Sequence, residues 1–134
     1  MIHLAPFEDV LEHQAYCLEG NVPFEEGSVG FKIFSDEENL GLCQIKFVSG
    51  AAYILNLLSI ENRISEQMLV NVFSSIIAFL ERVEIESIVY PVQTETDVFI
   101  AEKSGFDRIS DTLFVYDFAA FAEQEDESSD YGEI

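Results

Sequence analysis

Between the pair Ser49-Gly50 and Glu61 the chain reads Ala-Ala-Tyr-Ile-Leu-Asn-Leu-Leu-Ser-Ile, apolar at both alternating sets of positions and broken in its middle by Asn56. Side chains of a strand point alternately to opposite faces, so a strand apolar at both sets has to be covered on both. Ala51 to Ile60 is therefore predicted to run through the middle of a sheet, with other elements packed above and below it. Strict alternation puts Tyr53, Leu55 and Leu57 on one face and Ile54, Leu58 and Ile60 on the other.

Its neighbours follow from turn chemistry and periodicity. Val29, Phe31 and Ile33 alternate along one strand, and the polar run Asp36-Glu37-Glu38-Asn39 turns into Leu40 to Val48, where Cys43, Ile45 and Phe47 share a face. Ser49-Gly50 suits a tight hairpin, so these three strands form an antiparallel meander. Ile64 to Val83 is the clearest helix: Ile64, Met68, Val72, Ile76, Leu80 and Val83 step along one face, flanked by Leu69, Phe73, Ile77 and Phe79. A short buried strand, Ser87 to Val92, comes next, so the crossover from Ala51 through Val92 is predicted to be parallel and right-handed. Ile2 to Pro6 reads as an edge strand. Phe7 to Glu19 spaces Phe7, Val10, Leu11, Gln14, Ala15 and Leu18 as a helix, with Glu8 and Asp9 in its first turn and Gly20 as its stop. Thr94 to Lys103 is a shorter helix stopped by Gly105, and Phe106 to Phe118 a last strand with a kink at Ser110-Asp111. The fold class is α/β (α+β): one mixed sheet, an antiparallel meander plus one parallel crossover, with helices on both faces.

Charge narrows the partners. There are 26 acidic and 6 basic side chains, a formal charge of −20. Such a surface repels phosphate backbones and anionic lipid headgroups and attracts a basic protein or a cationic amine. No nucleic acid and no membrane partner is expected. Residues 122–134 are almost wholly polar and carry no basic side chain; they are read as a disordered acidic tail, leaving 1–121 as one domain. With 12 Phe and four of the five Tyr the remainder has ample material for a core. Cys17 and Cys43 are too few for a disulfide framework and suit a reducing compartment; with no signal-peptide pattern at the start, a cytoplasmic location is expected.

Ala101-Glu102-Lys103-Ser104-Gly105-Phe106 is similar to the run Tyr-Glu-Lys-x-Gly-Phe of the GNAT superfamily of acyl-CoA-dependent N-acetyltransferases. With the element order above, the chain resembles that superfamily over residues 2 to 118. The resemblance implies acetyl-CoA as cofactor, its pyrophosphate held at the start of the long helix by a Gln/Arg-x-x-Gly-x-Gly/Ala loop, where free N–H groups and a positive dipole end meet the anion. The matching stretch here is Glu61-Asn62-Arg63-Ile64-Ser65-Glu66-Gln67-Met68. Arg63 stands for the opening basic residue, but Glu66 and Met68 occupy the glycine positions, and Ser65 or Asn62 can cap the helix from within the chain. The pantetheine arm would run along Leu57 to Ile60 and Val89 to Val92, which makes Leu58, Ile60, Arg63 and Ser65 the cofactor-contact candidates. The family's proton-donating Tyr is Ala101 here, which donates nothing. Tyr90, Tyr116 and Tyr53 are substitutes for it, Glu61 or a water on Asn56 a base. Lacking glycines and Tyr, the chain is expected to be a non-catalytic binding or regulatory module on this fold; the alternative is an atypical acyl-CoA-dependent N-acyltransferase acting on a cationic amine.

No metal centre is predicted. His13 and Cys17 lie four apart on the first helix, but no third ligand stands at a recognisable spacing. Cys43 reads as a small buried hydrophobe. The acidic clusters lack the glycine spacing of a calcium loop.

Overall fold

The computed structural model describes residues 2–36 and 38–118. The acidic stretch 122–134 lies outside them. The elements are β1 (His3–Pro6), α1 (Val10–Glu19), β2 (Val29–Ser35), β3 (Glu38–Val48), β4 (Ala51–Ser59), α2 (Glu66–Arg82), β5 (Ser87–Pro91), α3 (Glu95–Lys103), β6 (Asp107–Ser110) and β7 (Leu113–Asp117). A short 3-10 turn, Ile60–Asn62, joins β4 to α2.

The seven strands form one sheet in the order β1-β2-β3-β4-β5-β7-β6, so the doubly apolar β4 lies at its centre. Ser49 and Gly50, both left-handed at φ 48° and 84°, make the turn that pairs β3 with β4 antiparallel. Gly50 takes that conformation without steric cost. Among the described residues the one parallel pair is β4 with β5, joined over the sheet by α2. Packed on one face, α2 and α3 cover a core in which Ile33, Ile45, Ile54, Phe73, Ile76, Leu80, Ile88 and Ile100 are fully buried. On the other face, α1 covers a smaller cluster of Tyr16, Cys17, Leu42 and Ile60.

Four expectations are corrected. First, the last stretch is a hairpin, β6 and β7, and not one kinked strand; β7 doubles back to pair with β5 on its inner side. Arg108 donates to Asp111 across the turn. Second, β4 does not alternate strictly. The register passes from Gln44↔Asn56 to Ile45↔Ile54, leaving Leu55 as a bulge, and parity reverses there. Ile54 and Leu57 share the α2 face, while Leu58 and Ile60 lie with α1. Third, α2 starts at Glu66, two residues after Ile64, because the Ser65 hydroxyl accepts from the Met68 N–H and fixes the cap there.

The fourth correction is α1. Asp9 is its N-cap, accepting from the Glu12 N–H, so it precedes the first turn. Val10, Leu11 and Leu18 face solvent, Leu18 being 83% exposed, and the buried positions are His13, Tyr16 and Cys17. Gly20 has ordinary helical angles; the left-handed residue that ends the helix is Asn21.

Candidate functional site

β4 and β5 pair only at Ala51–Tyr53 with Ser87–Val89. Beyond the Leu55 bulge the strands part, and a cleft of about 330 Å³ opens between them. One wall is β4 from Leu55 to Ser59; the other is Tyr90 and Pro91 of β5 with Gln93, Thr94, Thr96 and Asp97 at the start of α3. Asn62, Ile64 and Glu66 close the end near α2. A strand edge that has lost its neighbour presents backbone donors and acceptors to whatever fills the gap.

The polar side of the cleft is held from behind. Gln44, on β3 and 1% exposed, is the hub. Its Nε2 donates to the Pro23 carbonyl (3.2 Å) and to Asn56 Oδ1 (2.7 Å). Its Oε1 accepts from the Glu25 N–H (3.4 Å), Ser28 Oγ (3.2 Å) and the Cys17 thiol (3.5 Å). A carbonyl only accepts and a peptide N–H only donates, so Pro23 and Glu25 fix which end of the amide is which. His13 Nε2, 2.9 Å from Oε1, therefore carries the proton. Asn56 is oriented in turn: its oxygen is committed to Gln44, and its Nδ2 has no hydrogen-bond partner among the described residues. His13 is stacked on Phe7 and edge-on to Phe24. Burial pulls its pKa below the ordinary value, with the Gln44 hydrogen bond opposing, which favours the neutral ring.

Tyr90 sits on the opposite wall, 1% exposed, and donates to Asp97 Oδ1 at 2.9 Å. The other Asp97 oxygen accepts from the N–H groups of Gln93 and Thr94, and Thr94 Oγ1 accepts from Asp97 N. This capping box starts α3 and clamps the phenol at once. Burial, then the Asp97 charge, pushes the Tyr90 pKa far above its ordinary value. A phenol so reluctant to release its proton is a weak general acid.

The other predicted residues are dispersed. Leu58 lines the cleft, whereas Ile60 is fully buried under α1. Arg63 points back over the sheet: it donates to the Asn39 carbonyl (2.7 Å) and pairs with Glu61 (3.0 Å), Glu19 (3.3 Å) and Glu38 (4.0 Å). Glu61 is thereby held away from the cleft, its backbone left-handed at φ 49°. Tyr116 packs between Phe106 and Phe118, outside the cleft lining, its pKa raised by burial and by Glu81. Tyr53 pairs in the closed part of the sheet, and Ala101 is fully buried. His13 and Cys17 do converge, on an amide oxygen.

The N–H groups of the turn are largely spent inside the chain. Arg63 N donates to the Ile60 carbonyl, Ile64 N to Ser59 Oγ, Met68 N to Ser65 Oγ and Leu69 N to the Ser65 carbonyl. Glu66 and Gln67 keep theirs in the first turn of α2, where Glu66 is the acidic residue. At the other end of the sheet a separate groove of about 420 Å³, lined by Val29, Phe31, Phe47, Phe79, Val83 and Ile85 among others, has no titratable side chain among the described residues that line it.

No protein-family model matches the chain, and no curated protein matches it in sequence. Solved structures do match its fold. The ribosomal-protein-S18-alanine N-acetyltransferase of Escherichia coli superposes with a TM-score of 0.67 at 13% identity, over 86% of this chain and 91% of that one. A Bacillus subtilis acetyltransferase in complex with CoA gives 0.69 at 10% identity, over 88% and 99%. A GNAT family acetyltransferase from Elizabethkingia anophelis with acetyl-CoA bound gives 0.70 at 11%, over 87% and 98%. The chain has the GNAT N-acetyltransferase fold. Among the described residues no helix is long and apolar enough to cross a membrane.

Proposed function

We propose that this chain is a non-catalytic binding module that keeps the GNAT fold and its open β4–β5 cleft without seating acyl-CoA. The observation that carries this reading is the turn before α2. A diphosphate needs several unspent N–H groups and a cation at a helix start. Here Arg63, Ile64 and Met68 N–H are bonded internally, which leaves those of Glu66 and Gln67 at the helix start; the Arg63 guanidinium is surrounded by three carboxylates, and Glu66 lines that end of the cleft. These residues do not fit coenzyme A. The buried Ala101 and the clamped Tyr90 likewise argue against proton donation to a leaving thiolate.

The second reading is an N-acyltransferase that holds acetyl-CoA through backbone groups alone; the open edge of β4 is what favours it. Thermal unfolding with acetyl-CoA at low and moderate salt separates the two. A ligand at a hundred times its Kd stabilises by about 2.7 kcal/mol, a shift of several degrees for a domain this size. The expected result is no shift at millimolar acetyl-CoA; a saturable shift overturns the proposal.

A further inference from the structure

The cleft has the chemistry of a slot for an extended chain. Among the described residues its β4 wall is a strand edge with no strand partner on the β5 side from Leu55 to Ser59, in the middle of a sheet whose other strands pair on both sides or lie at its margins. Asn56 adds a side-chain donor on that wall, because Gln44 has taken its oxygen. The charged side chains in the lining are Glu66 and Asp97, with no lysine or arginine among them.

We infer that the cleft binds an extended basic peptide by strand addition: its backbone pairs with the Leu55–Ser59 edge, one of its carbonyls accepts from Asn56 Nδ2, and its lysine or arginine side chains meet Glu66 and Asp97 at the rim. Three features fit one occupant. A sheet edge is satisfied by another backbone, which gives affinity with little demand on side-chain identity. A donor-only amide selects an acceptor, and a peptide carbonyl is one. The carboxylates, on a chain of charge −20, draw a cationic segment and repel an acidic one. A cleft of about 330 Å³ holds only a few residues, so affinity is modest and the rest of the partner lies outside.

The inference rests on the reading that this cleft is a binding slot and not a coenzyme site. It is tested on the full chain by two-dimensional amide NMR. The probe is a blocked hexapeptide alternating lysine and valine; the controls are its glutamate counterpart, its backbone N-methylated form, spermine and acetyl-CoA. The expected result is saturable shifts of the Leu55–Ser59 and Thr94–Asp97 amides with the lysine peptide and none with the glutamate or N-methylated peptides. Glu66→Lys, at an exposed helix start where folding is retained, is expected to weaken binding about fivefold. Equal shifts from spermine or from the N-methylated peptide overturn strand addition. Silence towards every peptide and towards acetyl-CoA overturns this inference while leaving the non-catalytic reading in place. Acetyl-CoA shifting these amides overturns both.

Discussion

The two faces of this sheet are buried by opposite means. Under α2 and α3 the contacts are apolar and aromatic: Phe73 meets Tyr90 edge-on and Phe106 nearly parallel, each with centroids 5.6 Å apart. Under α1 the helix buries a histidine, a tyrosine and a cysteine and leaves two leucines and a valine in water. Non-directional packing tolerates approximate fit, while buried polar groups demand partners at set distances. One face thus supplies most of the stability. The other holds Asn56 in a single orientation at the edge of the cleft.

The largest expected effect tests that division. Phe73→Ala removes a fully buried ring and is expected to cost about 3–5 kcal/mol in urea unfolding. Gln44→Leu, which leaves His13 Nε2 and the Pro23 carbonyl without their partner, is expected to cost about 1–3 kcal/mol. Adding His13→Phe to Gln44→Leu should then cost less than the sum, because an orphaned donor disappears with the ring. Strict additivity would mean that the network is not a unit.

A smaller effect sharpens the comparison through pH. Burial holds the folded His13 pKa below the ordinary 6.5, so the unfolded chain takes the proton first as the medium acidifies. The stability that the neutral ring contributes is whole above that value and is lost as pH falls below it towards the folded pKa. The protonation of carboxylates works the other way on a chain of charge −20, since it relieves repulsion. The difference between the parent and His13→Gln isolates the histidine: the parent should lose more stability than the variant between about pH 7.5 and about pH 5.5. Parallel curves would place His13 in a setting that tolerates its charge.

How legible all this was follows the same line between faces. β4 could be placed at the sheet centre, and α2 on one side of it, because Tyr53 to Leu58 and Ile64 to Val83 are patterned by burial alone. The bulge at Leu55 was not legible: it depends on how Gln44 and Ile45 pair across the strand, and Leu55 carries no turn chemistry. Without the bulge, alternation sets Ile54 with Leu58, whereas Ile54 in fact shares the layer of Leu57. Arg63 stands out in the sequence as a cation at the turn before α2; of the carboxylates that hold it there, only Glu61 is near in sequence, while Glu19 and Glu38 come from far off. Gln44 carried a weak signal, a lone amide opposite the lone amide Asn56 in a hairpin whose turn fixes the register to within the bulge.

α1 gives the smallest expected effect and the sharpest contrast. Periodicity makes Leu11 and Leu18 look like its buried stripe, since they recur with Ala15 at helical spacing. The rival stripe, His13, Tyr16 and Cys17, has the same spacing and wins because each member has a named partner: Gln44 for the first and last, Asn39 Oδ1 at 2.7 Å for Tyr16, and the Phe7 ring over both aromatics. Burying the leucines instead would strand those polar groups, and each orphan costs more than the exposed methyls lose. Leu18→Lys is therefore expected to change unfolding free energy by no more than about 0.5 kcal/mol, despite replacing a large apolar residue on an amphipathic helix. A loss of several kcal/mol would mean that Leu18 is covered in the protein in solution, and that α1 is turned by a partner and not by Gln44.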